Sequence, residues 1–151
     1  MTKDIILHPE LILPMETPPA PRPRITKKGI SYYPKEYTQF KNEASFRFQG
    51  MWKNKESIKR AIEIELFFLV KKPKSKIRKT TANHRSPCYK TRGDLDNRIK
   101  SVLDVLQDAG IIQNDSQIYS IKAEAWFAGV QEKEKTSVRI TEVLKAKWVQ
   151  L

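Results

Sequence analysis

A chain of 151 residues has the length of one domain, enough to bury roughly 68–70% of the surface its unfolded form exposes. Apolar residues make up 39% and charged residues 30%, and 29 Lys and Arg against 17 Asp and Glu leave a net +12, which excludes a disordered polar chain and points to polyanionic partners. One cysteine, Cys88, excludes an internal disulfide framework and any Cys-rich zinc module, and its lone use fits the reducing cytoplasm.

In chain order, Ile5 to Leu13 reads as a short strand that Pro9 splits or confines to an edge. The same residues make no signal peptide, because His8, Pro9 and Glu10 interrupt the apolar run and no small-residue cleavage pattern follows. A Pro-rich basic segment over 14–28 follows, in which fixed φ angles preclude a helix. It carries Arg22, Arg24, Lys27 and Lys28, and the planar arginine fork suits phosphate oxygens.

From Pro34 to Met51 the residues Tyr37, Phe40, Ala44, Phe48 and Met51 form a helical stripe, with Pro34 acceptable in the first turn. Arg60 to Val70 alternates as a strand, Ile62, Ile64, Leu66, Phe68 and Val70 on one face, and its end becomes buried on both. Its run Leu66 to Val70 is the longest apolar stretch, far short of the roughly 20 residues of a membrane-spanning helix. A flexible basic loop over 71–92 comes next, with Lys71, Lys72, Lys74, Lys76, Arg78, Lys79, Arg85, Lys90 and Arg92 and no acidic residue. Such a tract is either a solvated loop or a phosphate-backbone contact, and the acids that follow it favour the second reading.

Asp96 to Gly110 reads as a second helix, with Ile99, Val102, Leu103 and Leu106 at i, i+3, i+4 and i+7 and Gly110 as its stop. Gln117 to Phe127 and Thr136 to Val143 read as two strands of a closing hairpin. The tally is a single α+β domain over 1–151, a small mixed or antiparallel sheet with two main helices packed on one face.

The chemistry lies in Gly93-Asp94-Leu95-Asp96-Asn97-Arg98-Ile99-Lys100 and Asn114-Asp115-Ser116-Gln117. Asp94 and Asp96, at the entry of a helix, can turn toward a common point. Asp115 joins them only if Ile111 to Asn114 runs back alongside the helix. Three convergent carboxylates make a hard-oxygen site for Mg²⁺ or Mn²⁺. Against this stand plainer roles: a helix cap for Asp94 or Asp96, a turn for Asp115, and an i±4 surface pair with Asp96 or Asp104 for Lys100. An EF-hand is excluded, since Arg98, Ile99 and Val105 occupy positions that need a ligand, a glycine and a glutamate. His84 and Cys88 have the spacing of half a zinc site and lack the other half. Neither a nucleophile elbow nor a glycine-rich phosphate loop is present.

Together, Arg22-Pro23-Arg24, Tyr33-Pro34-Lys35, Asp94-Leu95-Asp96-Asn97-x-x-Lys100 and Asn114-Asp115-Ser116-Gln117 resemble the RusA family of Holliday junction resolvases, small phage and prophage endonucleases. The resemblance implies a RusA-like fold in a homodimer with two active sites. It implies Asp94, Asp96 and Asp115 as metal-binding catalytic acids for Mg²⁺, with Mn²⁺ as substitute, and Lys100 as the essential basic residue. The substrate it implies is branched DNA, a four-way junction cut by paired symmetric nicks in recombination and repair, with no small-molecule cofactor. One departure is Asn114, which stands where the family often has a further acid. Two alternatives remain open on the residues themselves: a non-catalytic DNA-binding protein using the basic tract, and a nuclease for other branched or structured nucleic acid.

Overall fold

The computed structural model describes residues 2–52, 56–78, 82–89 and 94–147. The elements in chain order are β1 (Thr2–Leu7), β2 (Leu11–Leu13), β3 (Arg24–Ile25), β4 (Ser31–Tyr32), α1 (Lys35–Met51), β5 (Ile62–Val70), β6 (Ser86–Pro87), α2 (Leu95–Asp108), β7 (Ile118–Phe127) and β8 (Lys135–Lys147). Single 3₁₀ turns cover Lys74–Lys76 and Asp115–Gln117.

The expected α+β class, two helices and a mixed sheet are what the chain forms. Its main sheet runs β1-β8-β5-β7-β6, with β2 also paired to β8. Pro9 does split the first strand, and both halves lie antiparallel against β8, Leu7 opposite Thr141 and Leu11 opposite Val138.

The alternation in β5 is realised: Ile62, Ile64, Leu66, Phe68 and Val70 are buried together with Ala44, Phe48 and Trp52 from α1 and its C-cap and Val102, Val105 and Leu106 from α2. Both helices therefore cover one sheet face. The other face carries Glu65, Lys122 and Arg139 around a shallow cavity.

The closing hairpin is a correction. β7 and β8 are not neighbours; β5 lies between them, antiparallel to β8 with Leu66 opposite Val138, and parallel to β7 with Leu66 opposite Ala123. Parallel neighbours need a crossover, and α2 is that crossover, leaving the end of β5 and returning the chain to its start.

The α2 stripe also differs from expectation. Val102, Val105 and Leu106 are fully buried while Ile99 and Leu103 are only partly so, and Arg98 and Ser101 join the buried side. A proline strap explains the rotation. Prolines lack N–H groups, yet the strap's carbonyls need donors. The Arg98 guanidinium donates to the Thr17 carbonyl, the Ser101 hydroxyl to the Pro18 carbonyl at 2.7 Å, and the Ala20 N–H to the Asn97 carbonyl at 2.9 Å.

Candidate functional site

At the start of α2, Asp94 occupies the N-cap position with extended backbone, φ −66° and ψ 154°, yet its carboxylate makes no capping hydrogen bond. The Asp94 carbonyl, not its side chain, accepts from the Asn97 and Arg98 N–H groups at 3.1 and 3.3 Å. Asp96 accepts one bond, from the Asn97 N–H at 2.9 Å. Lys100 lies one turn further on. All three side chains are exposed, and among the described residues none of them forms a salt bridge, so neither the cap nor the i±4 pair uses them up. Two carboxylates with free lone pairs at a helix N-terminus suit a hard cation that keeps several waters.

Asp115 begins the 3₁₀ turn ahead of β7, and its neighbours build that turn. Asn114 Oδ1 accepts from the Ser116 N–H at 2.8 Å. Gln117 Oε1 accepts from the Gln113 and Asn114 N–H groups at 2.7 and 2.9 Å, while its Nε2 donates to the carbonyls of Ile58 and Arg60 at 2.7 and 3.1 Å. The turn-forming role open to Asp115 thus falls to Asn114, and the Asp115 carboxylate is left exposed.

The structure does not bring Asp115 to the other two acids within one chain. Ile58 donates its N–H to the Ile111 carbonyl at 2.8 Å and bridges Ile112, and β7 then starts at Ile118 opposite Ile62. That is the beginning of β5. Asp94 and Asp96 lie at its far end, where Arg98 meets Thr17, whose hydroxyl bonds that of Thr136, the residue opposite Phe68. The 14 residues of α2 separate the two groups by about 21 Å. The condition that Ile111 to Asn114 run back alongside the helix is not met, and among the described residues no group of three potential metal ligands clusters.

Of the basic residues, Arg22, Arg24, Lys27, Lys71, Lys74, Lys76, Arg78 and Arg85 are exposed. Lys72 is a correction to the expected phosphate-contacting set. It is 6% exposed and its ammonium donates to the His84 carbonyl at 2.7 Å, a cross-link inside the loop. Arg85 is shared, forked on Glu132 with bonds of 2.8 and 3.1 Å, and this guanidinium together with the Gly129 N–H holds the Glu132 carboxyl down at about 2. Lys79, Lys90 and Arg92 lie outside the described residues.

The expected flexible loop is tied down where it is described: Ser86 and Pro87 pair with Phe127 and Trp126, the Cys88 N–H reaches the Ala125 carbonyl at 3.0 Å, and the Val130 N–H reaches the Ala82 carbonyl at 2.8 Å. A groove of about 460 Å³ between Lys76, Arg78, Arg85 and Tyr89 results. Pro87 and Tyr89 of its lining flank Cys88, which feels the charge of Arg98 in the first turns of α2. Burial pushes the Cys88 thiol up, while Arg98 in the first turns of α2 and Lys76 of the groove pull it down and Glu16 pushes it further up.

Two working residues escaped the sequence reading. Asn-x-x-Gln is a capping-box spacing that marks Gln117, and a cation within an otherwise apolar helix stripe marks Arg98 as the strap's anchor.

No curated protein matches this chain. A family model does: endodeoxyribonuclease RusA, over residues 14–141, a span that takes in the strap, the acid pair, Lys100, Asp115, the whole of β5, β6 and β7 and the first part of β8. With a family model matched over most of its length, the chain belongs to the RusA family of endodeoxyribonucleases.

Proposed function

We propose that this protein is a Mg²⁺-dependent, structure-selective endonuclease that resolves four-way DNA junctions by paired symmetric nicks, acting in the cytoplasm in recombination and repair. The observation that carries the reading is the pair Asp94 and Asp96, exposed and without a cation partner among the described residues, with Lys100 about one turn after Asp96 and a basic groove in the loop that leads into α2. Asp94 and Asp96 would hold Mg²⁺ or Mn²⁺, which when bound supplies Lewis-acid polarisation of the scissile phosphate and a water of lowered pKa. Lys100 places an ammonium against the extra negative charge that develops on the phosphate in the transition state. Lys71, Lys74, Lys76 and Arg78 hold the strand through its phosphates.

The separation of Asp115 from the acid pair by about the length of α2 supports a homodimer. A two-fold arrangement that sets the start of α2 in one copy against the turn before β7 in the other joins Asp115 to the acid pair, and does so twice. Two sites then face opposed strands, as paired nicking requires.

The test is cleavage of a mobile four-way junction with and without Mg²⁺, mapping nicks on all four strands for wild type and a folded Asp96→Asn. Symmetric Mg²⁺-dependent nicks, lost by at least 10³-fold in the variant, are expected. Tight binding without nicks in Mg²⁺ or Mn²⁺ would instead identify a non-catalytic DNA-binding protein.

A further inference from the structure

Every residue from Arg22 to Tyr33 is exposed. The two strands of this segment pair with each other: Arg24 pairs with Tyr32 and Ile25 with Ser31, the Thr26 N–H donates to the Ile30 carbonyl at 2.9 Å, and the Ile30 N–H donates to the Thr26 hydroxyl at 3.1 Å. Gly29, at φ +80°, closes the turn, a conformation that glycine adopts without strain. A lone two-stranded hairpin is marginal in water, and here it shows Ile25 at 73% exposure and Ile30 at 61%. Packing among the described residues does not account for those side chains.

The hairpin stands on a fixed base. Before it, the Ala20 N–H is bonded to the carbonyl of Asn97, the residue after Asp96. After it, the Tyr33 ring lies 5.4 Å from that of Tyr37 in α1. It therefore projects from the acid-bearing end of α2. Its charge is uniformly positive, from Arg22, Arg24, Lys27 and Lys28, with no acid between Glu16 and Glu36.

We propose that β3–β4 is a branch-point wedge: Ile25 and Ile30 insert between bases at the centre of a DNA junction, Tyr32 offers a stacking face, and the four cations ride the flanking phosphates. The proposal rests on the nuclease reading above and adds the element that tells branched from linear DNA. Apolar side chains inserted into a continuous duplex must unstack a base step, at a cost of a few kcal/mol. At a branch point the stack is already interrupted, so the same insertion favours the junction over the duplex. The hairpin of a second copy is the poorer occupant, because it carries the same four cations.

The test uses the full chain in EDTA, where no strand is cut, with a four-way junction carrying 2-aminopurine at its branch point and a linear duplex as control. Wild type is expected to raise the fluorescence and to bind the junction more tightly than the duplex. Ile25→Ala/Ile30→Ala is expected to lose the rise and about tenfold of the preference, with duplex affinity, melting temperature and oligomeric mass unchanged. Arg24→Ala/Lys27→Ala should weaken both DNAs alike. A double isoleucine variant that keeps signal and preference overturns the wedge and leaves the nuclease reading standing. A variant that changes oligomeric mass overturns it in favour of a contact between copies. A wild type with no junction preference overturns both readings.

Discussion

Lys71 and Lys72 are adjacent in sequence and opposite in role. Lys71 is exposed, whereas Lys72 is buried with its ammonium on the His84 carbonyl. Truncating a buried donor strands its acceptor, so Lys72→Ala is expected to cost about 1–3 kcal/mol in a urea titration. Lys71→Ala should stay within about 0.5 kcal/mol and weaken DNA binding instead. The Arg85–Glu132 pair gives a pH dependence. The folded Glu132 carboxyl, held at about 2 against an ordinary 4.5, releases its proton more readily than the unfolded one. Its contribution is complete above about pH 4.5 and fades as pH falls toward 2. Acid unfolding of Glu132→Gln followed by circular dichroism should lack that part of the pH dependence, and a curve identical to wild type would refute the assignment. No such lever exists in sequence, because Glu132 lies 47 residues from Arg85.

Among the elements, close approach makes Gly129 irreplaceable. A Cβ there would stand 2.5 Å from the Asn83 carbonyl oxygen, in the turn that carries the Val130–Ala82 bond. Gly129→Ala must push the loop off the end of β7, lowering stability by about 1–3 kcal/mol and loosening the groove around Tyr89, as hydrogen exchange at Ala82 and Cys88 would register. The long periodic elements α1 and β5 were legible in type and buried face, and α2 in type alone, because the strap on Arg98 and Ser101 turns its face. The pairing of β7 was not. Periodicity says that a strand has a core face, and nothing in Tyr119 or Ile121 says that its neighbour is β5 rather than β8. The β3–β4 hairpin escaped for another reason: two residues per strand give no alternation to read, and only Gly29 marks its turn. The acid pair was legible as a motif, while its distance from Asp115 was hidden until α2 proved to be a crossover.

For the whole molecule, the positive excess lies entirely in the first 90 residues, and its exposed members include the four cations of the hairpin segment and Lys76, Arg78 and Arg85 of the groove. Each neutralised phosphate contributes about −0.9 to the slope of log affinity against log salt. A slope steeper than about −4 is expected for junction binding, with Lys74→Ala/Lys76→Ala shallower by about 2. A slope unchanged by that double substitution would place the phosphates elsewhere. No helix among the described residues is long and apolar enough to cross a membrane.

The sheet's strand order has a consequence for how the molecule comes into being. β5 lies at its centre, but the partners on its two sides begin at residues 118 and 135, and β1 waits for the same β8. While the chain emerges from a ribosome, everything before residue 118 lacks a long strand to pair with, so helices can form early and the sheet only late. Non-local pairing of this kind folds more slowly than local helix packing, because the loop-closure entropy comes before the contacts that offset it. The apolar face of β5 spends that interval uncovered, and its run Leu66 to Val70 is where a nascent chain of this protein is most exposed to misassembly.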